Sequence, residues 1–278
     1  MMKHGICLVL EALLCLTASA QDAEVFAATD WHWQDLGHGA RYGSAQVPLF
    51  GSVQSISVLR YKARRFRTDI VSAPGTLADS TEALARRYKA VAAVNGSYFN
   101  MKTLYPVTFI LDEKQLCGNT TPSELSRTDG LLTVRGRKVG IVRCDTTDYA
   151  AVTRRCRDAV AAGPVLILDG REARSEWPST GFFQKRHPRT FIGTTADGWV
   201  YLVVIDGRFP GQGDGATIPE TVRIARLFGL QDAINLDGGG SSVLWTRDAG
   251  AVSHPCDNRR YDHAGQRTVP NIILIRPR

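Results

Sequence analysis

Short apolar runs that end in Asn-Gly or Asp-Gly constrain this chain more than any other feature. They occur in AVNGSYFN (Ala93 to Asn100), GPVLILDGR (Gly163 to Arg171), FIGTTADGWVYLVVIDGR (Phe191 to Arg208) and AINLDGGGSSVLW (Ala233 to Trp245). Runs of this length, rich in β-branched residues and closed by residues that tolerate positive φ, are strands that stop in turns. Ala196-Asp197-Gly198 reads as a hairpin turn, and PNIILI (Pro270 to Ile275) as a further strand. Alternation of apolar and polar residues from Gln54 to Ser72, broken by Arg64, Arg65 and Arg67, reads as strands with a solvated edge.

Two helices interrupt this pattern. Asp79 and Glu82 have the spacing of a capping box, and Ala83, Leu84, Arg87, Tyr88 and Val91 follow at helical spacing, which predicts a helix over about Ser80 to Ala90. Thr217 and Glu220 frame a second box, with Pro219 in the first turn and Gly229 as the stop. Strands interleaved with two main helices predict an α+β or mixed α/β class, with a mixed sheet core in a single catalytic domain.

The first twenty residues read as an export signal: Lys3, an apolar stretch from Ile6 to Leu16, then Ala18-Ser19-Ala20. No later segment offers the ~20 apolar residues of a membrane span, so a secreted or periplasmic protein is expected. Residues 21–80 are then expected to form strands packed on a catalytic domain over 81–278. The leader carries one Lys and one Glu, so the remaining chain keeps the formal charge of +7, which favours anionic partners; nothing indicates nucleic acid. Cys117, Cys144, Cys156 and Cys256 would sit in an oxidising compartment and are expected to form two disulfides. Of the three pairings, Cys144 with Cys156 and Cys117 with Cys256 gives the shortest first loop. No C-x-x-C pair accompanies a His cluster, which argues against zinc.

The chemistry concentrates in INLDGGGSS, where an amide (Asn235) and an acid (Asp237) stand at a strand end before three glycines (Gly238, Gly239, Gly240) and two hydroxyls (Ser241, Ser242). Such a loop suits an anionic or polyhydroxyl ligand, or serves as a tight hairpin with a capping Asp. In HPRTFIG, Pro188 stiffens the approach to Arg189, whose guanidinium suits phosphate or a structural carboxylate. Asp206 and Arg208, two apart at the end of VVIDGR, point to one face as a catalytic or an ion pair. Asn95 ends its own strand, free to donate to a ligand or to hold the turn. Gly211, Gly213 and Ala216 fit a dinucleotide fingerprint, but Pro210 follows Phe209 where the tight turn should begin, so a flexible loop is expected. No G-x-S-x-G elbow accompanies Ser241 or Ser242, which removes a serine hydrolase.

In order, AVNGSYFN, GPVLILDG, HPRTFIG, LVVIDGR, AINLDGGGSS and VPNIILI resemble the phosphodiester glycosidase family over roughly Ala90 to Arg278. The resemblance implies hydrolysis of a sugar joined through its anomeric carbon to phosphate. It carries site roles to Asn95, Arg189, Asp206, Arg208, Asn235, Asp237, Gly238, Gly239, Gly240, Ser241 and Ser242. Ser97 departs from it, standing where a Gly is common, and Asn258 to Arg267 is divergent. On this basis Asp237 or Asp206 is the nucleophile or general base, and Arg189, with Arg208 and the glycine-loop amides, binds phosphate. A calcium or magnesium ion is the cofactor such carboxylates could hold. The alternative is a non-catalytic envelope module that binds anionic glycan through the same residues.

Overall fold

The computed structural model describes residues 20–75 and 77–278. The export signal, apart from its last residue, lies outside the described residues. Among those described, no helix is long and apolar enough to cross a membrane.

The molecule is built chiefly from strands. An eight-stranded sheet runs in the order His32–Gly37, Ala40–Leu49, Ser52–Lys62, Trp199–Ile205, Arg189–Thr194, Asp232–Asn235, Val165–Leu168 and Arg171–Glu172. A five-stranded sheet carries Gly250–Ala251, Leu244–Thr246, Ala92–Asn95, Asn271–Pro277 and Phe66–Ser72, and a second groups Lys138–Arg143, Gly130–Arg135, Asp158–Ala162, Ile110–Asp112 and Gln115–Gly118. Every neighbouring pair in these three sheets is antiparallel. The expected mixed sheet is therefore corrected: hairpins such as Ala40–Leu49 with Ser52–Lys62 and Arg189–Thr194 with Trp199–Ile205 alternate with long-range antiparallel pairings, and two main helices cover the faces.

One apolar core joins the eight-stranded sheet (Leu59, Leu202, Ile192, Ile234) to both five-stranded sheets (Val94, Ile273, Leu132, Val160). The opposite face of the eight-stranded sheet buries Ile56, Val203 and Phe191 against Ile218, Val222 and Ala225 of helix Ile218–Leu227. Helix Thr81–Arg87 presses Leu84 and Ala85 onto Ala93, Trp245 and Leu274. Each such side chain contributes roughly 1.5–3 kcal/mol when fully buried.

Local signals explain both helix starts. Thr217 accepts from the Glu220 amide while Glu220 reaches back to the Thr217 amide, so the expected box is complete, and Gly229 follows the helix at φ 69°. At the other helix the cap is Ser80, which accepts from Ala83 N at 3.0 Å, while the Asp79 carboxylate takes the Ser80 amide instead. The hydroxyl one residue on is in extended backbone and reaches the first turn, so the cap lies one position later than its spacing predicts.

Segment 21–80 is woven into the sheets. Ser52–Lys62 pairs along its length with Trp199–Ile205, and Phe66–Ser72 with Asn271–Pro277. The expected disulfides are also corrected, because all four cysteines among the described residues are free thiols. They occupy separate neighbourhoods: Cys117 on an exposed strand, Cys144 near Asp129 and Asp145, Cys156 near Arg135, and Cys256 beside Arg208. Burial pushes the Cys144 thiol up to about 11 and raises Cys156 and Cys256 as well, which keeps these sulfurs protonated.

Candidate active site

The strand ends Asn95, Asn235 and Ile205 and the strand start Arg189 converge beside the loop Asp237 to Ser242. Asn95 is fully buried: Nδ2 donates to the Asp237 carbonyl at 2.7 Å, and Oδ1 accepts from Thr190 Oγ1 and Val243 N. It bolts the loop to both main sheets. Asn235 turns its Nδ2 to Tyr98 Oη, Gly163 O and Leu236 O, again inside the framework. Ser97 donates to Ala161 O at 2.6 Å and is buried, so it fills structure rather than a pocket.

Arg189 is anchored by backbone carbonyls. Only 2% exposed, it donates from Nε to Ala216 O at 2.9 Å and from Nη2 to Phe182 O and Lys185 O, while Phe182 lies 5.1 Å from its guanidinium carbon. Desolvation lowers its pKa to about 10, the signature of a cation held by carbonyl dipoles without a carboxylate partner. Asp206 is likewise enclosed. Its oxygens accept from Ser55 Oγ (2.7 Å) and His254 N (2.9 Å) and pair with His254 Nδ1 (2.7 Å).

Asp237 is the acid at the centre. Burial pushes its carboxyl up to about 6, against the pull of the Ser241 hydroxyl, Arg127, the Gly238 amide and Arg267. The Gly238 amide donates to its Oδ1 at 2.9 Å. Ser241 Oγ lies close enough to lower the carboxyl but completes no well-aligned hydrogen bond, and Ser242 Oγ is also buried without a partner. Two hydroxyls thus stand unspent inside the loop, a costly arrangement for groups with no other use.

The glycines provide room more than amide donors. The amides of Gly239, Ser241 and Ser242 already donate to Pro188 O, Gly238 O and Gly239 O. A Cβ on Gly238 would meet the Pro188 carbonyl oxygen at 2.6 Å, and one on Gly239 would stand 3.0 Å from Arg208 Nη2. Arg208 therefore borders the loop, but not through strand alternation with Asp206: the strand ends at Ile205 and Arg208 takes φ 69°.

Two arginines escaped sequence reasoning. Arg127 lies flat on Tyr98, 4.2 Å from the ring centre, and is held by Glu124. Arg267 spans Asp257 with Nε at 2.7 Å and Nη2 at 2.8 Å. Both bear electrostatically on Asp237. Arg267 lies in the stretch set aside as divergent, although a basic residue just before VPNIILI was available as a signal. Among the described residues no three His, Cys, Asp or Glu side chains converge as a group that could hold a metal ion.

The sequence profile of the phosphodiester glycosidase family matches residues 88–276. The chain belongs to that family. Its fold is that of the zebrafish N-acetylglucosamine-1-phosphodiester α-N-acetylglucosaminidase catalytic domain, a structure auto-inhibited by its pro-peptide: TM-score 0.68, 16% identity, covering 90% of this chain and 88% of that one. A hypothetical protein from Synechocystis superposes with TM-score 0.65 at 17% identity, covering 90% of this chain and 64% of that one. By sequence, an uncharacterised SPbeta prophage-derived protein of Bacillus subtilis, YomE, is 29% identical over 91 residues, covering 33% of this chain. The match spans only 14% of YomE.

Proposed function

We propose that this phosphodiester glycosidase family member hydrolyses the bond between the anomeric carbon of a sugar and a phosphodiester oxygen, with Asp237 as the reacting carboxylate. The observation that carries the reading is a desolvated acid poised near 6 between two arginines in a loop of glycines and unspent hydroxyls. A carboxyl with that value is ionised at neutral pH yet remains basic enough to accept a proton.

Ionised Asp237 takes the proton of an attacking water, or bonds to the anomeric carbon itself, after which water cleaves that glycosyl ester and restores the carboxylate. The C–O bond breaks, and the phosphate monoester leaves with the electron pair. Its second pKa is near ~6, so it departs with little protonation and chiefly needs its charge offset. Arg127 and Arg267, which act on the carboxyl, and Arg208, which borders Gly239, are the groups suited to that work; the formal charge of +7 favours the same anionic substrates. The buried Ser241 and Ser242 hydroxyls would bind ligand oxygens. The signal-like leader supports export to the periplasm or beyond, testable by fractionation.

The deciding experiment incubates the protein with a panel of sugar-phosphate diesters and measures free reducing sugar. Sugar release that Asp237→Asn abolishes supports the reading. Tight binding of the same diesters with no release from any of them would replace it with a binding module.

A further inference from the structure

Asp206, two residues before Arg208 in the site, is wired into a closed circuit of side chains. Ser55 Oγ donates to its Oδ2 at 2.7 Å, Tyr261 Oη donates to Ser55 Oγ at 3.0 Å, and the Tyr261 ring stacks on His254 at 3.8 Å with the planes 8° apart. His254 completes the circuit, with Nδ1 2.7 Å from Asp206 Oδ2 and its amide donating to Oδ1 at 2.9 Å. Two residues further along each strand of chain, a second rung repeats the pairing: Arg208 Nη1 lies 3.4 Å from Cys256 Sγ. The segment His254 to Cys256 therefore runs beside Asp206 to Arg208, fastened at both ends.

The backbone between the rungs needs such fastening. Arg208 has φ 69°, a left-handed conformation that a residue with a Cβ adopts only when its surroundings enforce it. Gly207 is wedged on the other side, since a Cβ there would meet Pro188 N at 2.6 Å and Gly215 Cα at 3.0 Å. The turn is thus gripped between Pro188 and Gly215 on one flank and the His254 segment on the other. The outcome of that grip is where the Arg208 guanidinium comes to rest, beside Gly239.

We propose that His254 is a positioning residue: its Nδ1–H, clasped to buried Asp206, holds the turn that aims Arg208 at the substrate phosphate. The proposal rests on the phosphodiester reading for the identity of what Arg208 meets, but the clasp itself is independent of it. A clasp through Nδ1 requires only a donor at that position. Asn places its Nδ2 near the same point, whereas Leu fills the space and donates nothing.

The test compares His254→Leu, His254→Asn and Ser55→Ala with wild type in two measurements. The first is KM and kcat on a sugar-phosphate diester and on an uncharged glycoside of the same sugar. His254→Leu should raise KM for the diester about tenfold and change the uncharged glycoside less than twofold, with Asn restoring most of the difference and Ser55→Ala falling between. The second is the alkylation rate of Cys256 in the folded protein, read by peptide mass mapping. Cys256 is 5% exposed under Arg208, so loosening the turn should speed its labelling in His254→Leu and leave it slow in His254→Asn. The labelling result stands even if the wild type cleaves no diester, which would count against the activity and leave the clasp intact. Unchanged KM and unchanged Cys256 protection in folded His254→Leu would overturn the proposal. So would equal losses on both substrates, or failure of Asn to rescue. If His254→Leu does not fold, Ser55→Ala decides by the same two readings.

Discussion

Arg267 grips Asp257 with two parallel hydrogen bonds directly over Gly240, in the space where any other residue would carry a side chain. A Cβ on Gly240 would stand 2.0 Å from Asp257 Oδ1 and 2.2 Å from Arg267 Nη2, whereas one on Gly238 would run into the Pro188 backbone carbonyl. Side-chain tips can move and backbone cannot. Gly240→Ala should therefore keep the melting temperature within a few degrees and lower kcat/KM at least ~10-fold, while Gly238→Ala should unfold at clearly lower temperature. Thermal melts and steady-state kinetics on the two variants check the contrast, and equal destabilisation by both would remove the special place of Arg267.

For Asp237, stability and activity should respond to pH in opposite ways. Its folded pKa of about 6 lies above the usual 3.8, so the folded state holds the proton more tightly. Below pH 3.8 both states are protonated and nothing is lost; as pH rises from 3.8 through about 6, the unfolded chain ionises first and the fold is penalised. The ceiling on that penalty is about 3 kcal/mol, reduced because the carboxylate keeps some solvent contact. Asp237→Asn should melt higher than wild type at pH 8 and equal to it near pH 4, while losing more than ~100-fold in turnover. If Asp237 is base or nucleophile, kcat/KM of the wild type rises with pH and levels off above about 6. A profile falling through 6 would assign it as the acid.

Arg208→Lys and Arg189→Lys should separate two kinds of arginine. Losing the Arg189 fork strands the carbonyls of Ala216, Phe182 and Lys185, a cost of roughly 1–3 kcal/mol that appears in denaturant midpoints and affects all substrates equally. Arg208→Lys should instead spare stability and weaken cleavage of diesters relative to uncharged glycosides, because an ammonium cannot present two parallel donors to phosphate. A diester-selective loss at Arg189→Lys would return the phosphate to Arg189.

Thr217→Ala should cost about 1 kcal/mol by opening the capping box of helix Ile218–Leu227, read as a lower urea midpoint with unchanged slope and no change in KM. An unaltered midpoint would mean that tertiary packing alone holds the helix start.

What was legible in the sequence was local. The Thr217 box, the hairpin at Asp197-Gly198 and the strand ends at Asn95 and Asn235 each depend on neighbours within a few positions, and each is where the pattern placed it. The antiparallel arrangement was not, because apolar runs look the same whichever way their partners run. Nor were the partners of Asp206 and Arg189. His254 is 48 positions from Asp206, and Ala216 is 27 from Arg189, so their hydrogen bonds leave no periodic trace. Arg127 and Arg267, which act electrostatically on the Asp237 carboxyl, are likewise brought there only by tertiary folding.

The strand Asn271–Pro277 lies between Ala92–Asn95 and Phe66–Ser72, and Asn271 Oδ1 accepts the Ser97 amide beside the turn that carries Asn95. Folding must therefore close a loop of roughly 200 residues before Phe66–Ser72 gains this partner, a long-range pairing of the kind that forms slowly. The turn that carries Asn95 is thus braced only once that distant pairing has formed, so a partly folded chain lacks the candidate site.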